Sequence, residues 1–199
     1  IGRAGRDGQP AEAYLLYGLN DIVMRRMFID QEDSGDDHKR REHKRLDALI
    51  AFCEAPACRR RTLLSYFGED SAACGNCDVC INPPELADGS ELGRAVLAAI
   101  MGSGQRFGAV HIIDILRGSV NEKILGFGHE RLACHGVGKE TSKDAWRSII
   151  RQLVAAGYLM LDVAGHGGLS LTATGNGLAK GEEDFRYRKD VVAAKRNKA

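Results

Sequence analysis

The chain has 199 residues, of which 44% are apolar, and this suits one large domain or two or three small ones. No apolar run approaches the roughly 20 residues needed to cross a bilayer, and no basic-then-apolar segment opens the chain, so we expect a cytoplasmic protein without membrane contact. The net charge of +1 predicts no partner by itself, although positive charge is concentrated in residues 38–62 and 186–199.

The chain opens with IGRAGRDG, in which Arg3 and Arg6 are surrounded by glycines. Arginines in such a setting look like part of a nucleotide-hydrolysing protein. The sequence contains no G-x-x-x-x-G-K-[ST] loop, so the rest of a nucleotide site would have to lie elsewhere, and the motif alone leaves open whether the chain is an enzyme or a piece of one. Residues 11–18 then predict a short apolar strand, and residues 21–30 predict a helix.

A helical hairpin is predicted next. Apolar residues at i, i+3, i+4 and i+7 predict a helix over residues 38–54, and Pro56 marks its end. A second helix over residues 57–67 returns in the opposite direction, with its aromatic end at 66–67 expected beneath the cysteines that follow. The acidic stretch 30–37, ahead of the hairpin, is predicted to be a loop.

Four cysteines follow the spacing C-x15-C-x2-C-x2-C. A tetrahedral ion needs four soft ligands, and a two-residue gap lets a tight turn aim two thiolates at one point. Gly75 suits such a turn, because glycine accepts positive φ. With all four positions taken by protein, the zinc would stabilise the fold and do no chemistry. The predicted ligands are Cys58, Cys74, Cys77 and Cys80.

Three alternatives to zinc fit the cysteines less well. An iron–sulfur cluster would need a further cysteine just before a proline, and the sequence there is CINPP. A thioredoxin-like pair would be a single C-x-x-C opening a helix after a strand. Inert buried thiols do not account for three cysteines in seven residues. Cys53 and Cys134 are predicted to be small, buried or half-buried residues rather than ligands.

After a predicted linker at residues 83–90, a second unit begins with Ser90 as a helix N-cap. Three helices are predicted, over residues 90–102, 109–118 and 141–157. The third has the clearest amphipathic pattern, and its buried face is predicted to consist of Trp146, Ile149, Ile150, Leu153 and Val154.

The period then changes to that of strands, since residues 158–163 and 169–174 predict a hairpin joined by AGHGG. Three helices and a hairpin make a winged helix, whose third helix is the recognition helix. Basic residues cluster near its start, where they would release counterions from a phosphate backbone, and Arg151 shares its outer face. The candidate DNA-binding residues are Arg106, Lys139, Ser142, Lys143, Arg147 and His166.

These residues also allow a simpler interpretation. Many winged helices are protein–protein modules, in which case the basic residues form a solvated surface. His166 at the hairpin tip would stack on a base in one interpretation and be an ordinary polar turn residue in the other. The predicted fold class is the same in both cases: mainly α with small β, a four-cysteine zinc-binding helical hairpin followed by a winged helix.

In their order, these segments resemble the C-terminal portion of a bacterial-type RecQ-family ATP-dependent DNA helicase. IGRAGRDG resembles the last helicase motif, on the second RecA-like lobe, and AFCEAPACRRRTLLSYFGE with CGNCDVC resembles the zinc subdomain. QRFG, ILRGS, GHERL, SKDAWRSIIRQL and LSLT resemble the winged-helix subdomain. The resemblance implies four parts: the incomplete lobe (1–30), the zinc-binding hairpin (31–85), the winged helix (86–183) and a basic tail or linker (184–199).

The resemblance also implies a function. The parent would be a 3′ to 5′ DNA helicase acting in repair and recombination, in which Arg3 and Arg6 reach the γ-phosphate of ATP, with Mg²⁺, across the missing lobes. The piece alone would not hydrolyse ATP. The winged helix would anchor duplex DNA at junctions with single strands, and the family further implies contact with single-stranded-DNA-binding protein. We expect a monomer associated with the nucleoid.

Two functions of other classes compete. A zinc-containing winged-helix transcription regulator would bind one DNA sequence far more tightly than random DNA, whereas a helicase module would prefer a DNA shape. The motif at residues 1–8 and the lack of an obvious dimerisation helix disfavour the regulator. A protein-docking module would bind a partner and no DNA.

Overall fold

The computed structural model describes residues 6–9, 11–162 and 168–189. Over these residues the chain is mainly helical with little β structure, as predicted, and the strands form two small antiparallel sheets. The elements in chain order are α1 (Leu19–Gln31), α2 (Asp36–Glu54), α3 (Arg59–Tyr66), α4 (Asp78–Ile81), β1 (Leu86–Asp88), α5 (Ser90–Gly102), α6 (Ala109–Leu116), α7 (Glu122–Phe127), a 3₁₀ turn (His129–Arg131), α8 (Lys143–Ala155), β2 (Leu159–Asp162), β3 (Gly168–Leu171), α9 (Ala173–Lys180) and β4 (Arg186–Arg188).

The strand predicted over residues 11–18 is wrong, because this segment has no regular structure. A strand needs a neighbour to pair its backbone N–H and C=O groups, and none of the strands in the described part of the chain pairs with it. Most of its apolar side chains point to solvent: Tyr14 is 83% and Leu16 is 93% exposed, while Tyr17 is half-buried. Apolar composition alone therefore does not make this segment a strand.

Helices α1 and α2 pack together, and α2 continues toward the cysteines. Helix α2 begins at Asp36, so Asp36 and Asp37 belong to its first turn and not to the predicted loop. Carboxylates are stabilised there by the positive end of the helix dipole. Helix α3 follows the predicted hairpin turn but buries none of its side chains, so apolar packing alone does not hold it.

The winged helix is built around helices α5, α6 and α8, which contact one another. The predicted buried face of α8 is confirmed, since Trp146, Ile150 and Leu153 have no exposed area. Full burial of each such side chain is worth about 1.5–3 kcal/mol. The strands β2 and β3 pair antiparallel from Leu159 opposite Leu171 to Asp162 opposite Gly168, as the predicted hairpin requires.

The sequence missed a short helix between α6 and α8. Helix α7 has six residues, and Ile124 is its one buried side chain, so no apolar period marks it. Both ends of α7 are set by local contacts. The Asn121 side chain accepts a hydrogen bond from the Ile124 N–H at 2.9 Å, and Gly128 ends the helix at φ 71°. Asparagine and glycine are common at the N-cap and at the C-terminal end of helices, and α7 is too short to show an apolar period.

Two segments that were predicted from the sequence to be a linker and a tail form a second sheet. Strand β1 pairs antiparallel with β4, from Leu86 opposite Arg188 to Asp88 opposite Arg186. Between these strands and α5, Phe185 is 1% exposed. A Cβ on Gly89 would lie 2.6 Å from the Tyr187 ring, which explains why glycine stands there. Residues 184–189 therefore belong to the folded unit rather than to a tail.

The predicted N-cap of α5 is shifted by one residue. Ser90 is the first helical residue, and the Asp88 carboxylate accepts its backbone N–H at 2.9 Å. The Ser90 hydroxyl instead accepts the N–H of Phe185 at 3.0 Å, and so joins the start of α5 to the second sheet. Within the described residues, no helix is both long and apolar enough to cross a membrane.

Candidate metal centre and nucleic-acid interface

The four predicted cysteine ligands converge on one point. Cys58 immediately precedes α3, Cys77 precedes α4, and Cys80 lies within α4. The turn between Cys74 and Cys77 is made by Gly75 at φ 72°, as predicted. All four Sγ atoms lie within 4.8 Å of one another, and they are Cys58, Cys74, Cys77 and Cys80. Tetrahedral zinc with bonds of about 2.3 Å fits such a set.

Backbone donors favour the thiolate form that a metal needs. The Arg59 N–H donates to the Cys77 Sγ at 3.4 Å, and the Cys74 N–H donates to the Cys58 Sγ at 3.2 Å. Hydrogen bonds from the N–H groups of Arg61 and Cys74 lower the pKa of Cys58 to about 6, and the Arg59 N–H lowers the pKa of Cys77. Four thiolate ligands leave no position for water or substrate, so the zinc is structural.

The two remaining cysteines stand apart from this set, as predicted. Cys53 and Cys134 are half-buried, and burial raises the pKa of each thiol. The expectation that aromatic residues underlie the metal site is wrong. Tyr66 and Phe67 pack edge to face at 5.0 Å and are 56% and 68% exposed. Tyr66 is the last residue of α3 and Phe67 is its C-cap, and this helix buries none of its side chains.

Arg59 holds the ends of the zinc hairpin together. One guanidinium nitrogen donates to the carbonyl oxygens of Phe52, Cys53 and Ala55 at 2.6–3.2 Å, where α2 leaves its last carbonyls without helical partners. The other nitrogens donate to the Asp78 carboxylate at 2.8–3.2 Å. This pairing with Asp78 raises the pKa of Arg59 and lowers that of Asp78. One side chain thus ties the C-terminus of α2 to α4.

The recognition helix begins with the residues that the sequence singled out. The Ser142 hydroxyl accepts the Ala145 N–H at 3.1 Å, which confirms it as the N-cap of α8. Lys143 is exposed but lies 3.6 Å from an Asp114 carboxylate oxygen, and Arg147 pairs with Asp144 at 2.7 Å. Lys139 lies in the exposed turn before the helix. The cations cluster as predicted, and acids accompany two of them.

Arg106 lies elsewhere, in the turn between α5 and α6. Its guanidinium carbon is 5.2 Å from the centroid of the Phe107 ring and 5.3 Å from that of Phe127. Gln105, beside it, adopts φ 55° and accepts the Leu171 N–H at 2.9 Å, which joins this turn to β3. Arg106 lies near the turn between the first two helices of the winged helix, as predicted, and it rests on aromatic residues that the sequence did not reveal.

Arg151 does not belong to the candidate DNA surface. Its Nε donates to Oε1 of Glu54 at 2.6 Å, and Arg188 donates to Oε2 of the same carboxylate at 3.2 Å. Tyr17 also donates its hydroxyl to Glu54, and burial together with this hydrogen bond raises the pKa of Tyr17. The Glu54 side chain is only 5% exposed. We call this group, Tyr17, Glu54, Arg151 and Arg188, the Glu54 junction.

Two candidate residues, Arg3 and His166, lie outside the described residues. Arg6 is exposed in a turn before the irregular N-terminal segment. The four cysteines come together as predicted, and so do the residues at the start of α8. Sequence reasoning missed Glu54, Lys123 and Phe127. Glu54 offered no signal besides its place two residues before Pro56, while Phe127 is an aromatic residue between two glycines in LGFGH.

Comparison with known families agrees with this geometry. Residues 83–196 match the model of the RQC domain, and residues 19–81 match that of the RecQ zinc-binding domain. The chain belongs to the RecQ family. The RecQ zinc-binding match contains all four clustered cysteines, which are therefore its metal ligands. It begins at residue 19, so the match includes α1.

Individual RecQ relatives cover nearly the whole chain. It is 39% identical over 195 residues to the ATP-dependent DNA helicase RecQ of Haemophilus influenzae, and 39% identical over 186 residues to that of Pasteurella multocida. Identity to the Bacillus subtilis helicase is 29% over 194 residues. These matches cover 97%, 92% and 97% of the chain, yet the chain spans only 31%, 29% and 33% of those relatives.

Proposed function

We propose that this chain is the DNA-binding region of an ATP-dependent 3′ to 5′ DNA helicase that acts in DNA repair and recombination. The main support for this proposal is the N-terminal turn of α8. Ser142 caps this turn, and the side chains of Lys143 and Arg147 are exposed there. In helix-turn-helix proteins this end of the recognition helix faces DNA. Lysine and arginine contacts with phosphates provide affinity without sequence preference.

The remaining parts have supporting roles in this proposal. The zinc hairpin does no chemistry, and its four thiolates hold α3 and α4 against the end of α2. Arg3 and Arg6 would act on the γ-phosphate of ATP, with Mg²⁺, only beside lobes that carry a nucleotide-binding loop. His166 would contact DNA from the hairpin tip. The chain by itself would therefore bind DNA and leave ATP intact.

We further propose that the preferred DNA is a junction between duplex and single strand, bound by a monomer. Single-stranded-DNA-binding protein is the proposed protein partner, and the proposed location is the cytoplasm, in association with the nucleoid. The relatives' names support DNA as the substrate, because each is called an ATP-dependent DNA helicase.

Fluorescence anisotropy with labelled duplex, overhang and single-stranded DNA at several salt concentrations tests the proposal. We expect the overhang to bind tightest, with a steep salt dependence. The double variant Lys143→Glu, Arg147→Glu should lose most of this binding. Lys44→Glu, which reverses an exposed charge on α2, is the matched control and should bind like wild type.

Zinc content and the thermal unfolding midpoint of each variant separate lost contacts from lost folding. Absence of DNA binding by the wild type at low salt would overturn the proposal in favour of a docking module. Strong preference for one DNA sequence over random duplex would instead favour a transcription regulator.

A further inference from the structure

Two exposed cations share one aromatic ring on the side of the winged helix that carries α7. The Arg106 guanidinium carbon lies 5.2 Å from the Phe107 centroid, and the Lys123 Nζ lies 5.5 Å from the same centroid. Arg106 also contacts the ring of Phe127 at 5.3 Å. A cation over an aromatic face is attracted by the ring quadrupole. The rings therefore hold both charges near one place.

The rings beneath these cations are fixed. Phe107 is only 7% exposed and stacks on His111 at 4.1 Å, with Phe127 packed edge-on at 4.9 Å. His129 stacks on Phe127 at 5.6 Å, and its Nδ1 lies 2.7 Å from the His111 Nε2 in a buried hydrogen bond. We call Phe107, His111, Phe127 and His129 the ring cluster. A cation already placed on rigid rings loses less side-chain entropy when it binds a ligand.

Neither Arg106 nor Lys123 forms an ion pair with a carboxylate among the residues that the structure describes. The nearest acid to the ring cluster in sequence, Glu130, lies 3.4 Å from Arg131. The cations at the start of α8 differ, because Lys143 lies near Asp114 and Arg147 pairs with Asp144. Within the described residues, Arg106 and Lys123 therefore lack the direct carboxylate partners of Lys143 and Arg147, and the carboxylate of Asp114 lines the same cavity as Lys123 without pairing with it.

The histidines of the cluster add no charge near neutral pH. Burial lowers the pKa of His111 to about 4, with His129 and Lys123 adding to the effect and Asp114 opposing it. Burial and Arg106 lower the pKa of His129, against a smaller opposing effect of Glu130. The local positive charge therefore comes from the two exposed cations, which face solvent.

We propose that Arg106 and Lys123, held on the ring cluster, form a docking site for the phosphodiester backbone of DNA that is separate from the contacts at the start of α8. Two cations without base-reading groups position a strand and carry no sequence information. The inference rests on the proposed DNA-binding function and names the surface of the winged helix that carries a second part of it. It adds Lys123 as a contact and Phe127 as a positioning residue.

Salt-dependent anisotropy with a duplex–overhang DNA tests this site. Each phosphate contact contributes about 0.9 to the slope of log affinity against log salt, so Arg106→Gln and Lys123→Gln should each reduce the slope by about that amount. Affinity at low salt should fall about fivefold in each variant. Lys44→Gln removes an equal charge from the zinc hairpin and should leave both the slope and the affinity unchanged.

Phe127→Leu tests the positioning role. Leucine keeps apolar volume at this half-exposed position but removes the ring under Arg106. The charge stays, so the salt slope should persist while affinity falls about two- to threefold, as expected from losing roughly 0.5 kcal/mol of preorganisation. An unchanged affinity would show that Arg106 needs no aromatic support and would overturn this part of the inference.

The outcomes distinguish this inference from the function on which it rests. If wild type binds DNA and the charge reversal on α8 weakens it, but Arg106→Gln and Lys123→Gln keep the wild-type slope, the second docking site is wrong and the proposed function stands. If wild type binds no DNA at low salt, both are wrong. A smaller salt dependence of affinity in Arg106→Gln and Lys123→Gln, with unchanged zinc content and unfolding midpoint, would support the second docking site.

Discussion

The zinc hairpin and the winged helix lie side by side but are held together by different forces. Helices α2, α3 and α4 bury very little apolar surface, and the buried apolar residues between Asp36 and Ile81 are Ile50, Cys58 and Val79. The winged helix buries side chains with no exposed area in each of its three main helices, among them Leu97, Ile112, Ile150 and Leu153. A small unit with so little core needs a metal to fold, whereas the larger one does not.

The two regions meet at the Glu54 junction. Glu54 is the last residue of α2, and it receives hydrogen bonds from Arg151 on α8 and Arg188 on β4. Tyr17 reaches the same carboxylate from the segment before α1. A buried carboxylate is costly unless it is paired, so the pairing of Glu54 favours the arrangement in which these four segments meet.

Removal of zinc should produce the largest effect and separate the two regions. Cys77→Ser, or chelation of the wild type, should unfold the segment from Cys58 to Ile81, because structural zinc supplies about 10–16 kcal/mol of apparent binding free energy to small domains. Hydrogen exchange read by mass spectrometry should show lost protection in α3 and α4. Protection of α5, α6 and α8 should persist, since their core contains no metal ligand.

Cys134→Ser is the matched control, because Cys134 is half-buried in the winged helix and outside the cluster. It should retain zinc and normal protection. If chelation exposed α8 as strongly as α3, the two regions would form one cooperative unit and the contrast between them would not hold.

Loss of the Glu54 carboxylate should have the next largest effect. Glu54→Ala leaves two arginines without their shared partner, and we expect a loss of about 2–3 kcal/mol in the free energy of unfolding. Breaking a fully buried ion pair costs about 3–5 kcal/mol of unfolding free energy. We expect a smaller loss here, because the side chains of Arg151 and Arg188 are 20% and 23% exposed. Denaturant unfolding followed by circular dichroism measures the change.

The exposed pair of Glu85 and Lys189 provides the control for this prediction. Its side chains are 79% and 56% exposed, so Glu85→Ala should change stability by less than about 1 kcal/mol. Equal effects of Glu85→Ala and Glu54→Ala would show that the junction does not couple the two regions.

The features that the sequence predicted correctly are those that show a regular period of apolar residues or a characteristic spacing of cysteines. The buried face of α8, the hairpin β2–β3 and the four cysteines all leave such patterns, and all are confirmed. The pairing of β1 with β4 brings together residues about a hundred positions apart, and three-residue strands show no alternation to reveal it. The Glu54 junction and the ring cluster are likewise made by distant side chains, which charge and spacing along the chain cannot connect.

Acidification should destabilise the winged helix through His111. Its pKa is lowered from 6.5 to about 4 in the fold, so above pH 6.5 it is neutral in both states. As the pH falls from 6.5 toward 4, the unfolded chain takes up a proton that the folded chain excludes, and stability decreases. The loss is about 1.4 kcal/mol for each unit between the two pKa values. Unfolding free energies measured between pH 7 and pH 4 should show this slope.

His111→Phe should make that pH dependence shallower, because the ring remains while the titrating group is removed, and His129, whose pKa burial also lowers, keeps the remaining slope. The control is His38→Gln, which changes a histidine on α2 that is 45% exposed beside Glu32. This control should keep the slope of the wild type. A slope that survives undiminished in His111→Phe would assign the acid sensitivity to other groups and weaken the picture of a winged helix stabilised by a neutral, buried interior.

The smallest expected effect concerns Ser142, whose hydroxyl caps α8 and is a proposed DNA contact. Its oxygen accepts the Ala145 N–H, so Ser142→Ala should cost about 1 kcal/mol of stability through the lost cap.

Ser142→Asp keeps a cap acceptor and places a negative charge at the positive end of α8, so its unfolding free energy should stay near that of wild type. The same carboxylate would repel a phosphate, and DNA affinity should fall although the fold is intact. Thr172→Asp places the same charge at the cap of α9, where Thr172 accepts the Gly175 N–H at 3.0 Å. It loses the hydroxyl's donation to the Gly157 carbonyl oxygen at 2.6 Å, so its unfolding midpoint is measured alongside, and the DNA affinity of the folded protein should be unchanged. Equal loss of DNA binding in both aspartate variants would mean that net charge, and not the start of the recognition helix, determines affinity.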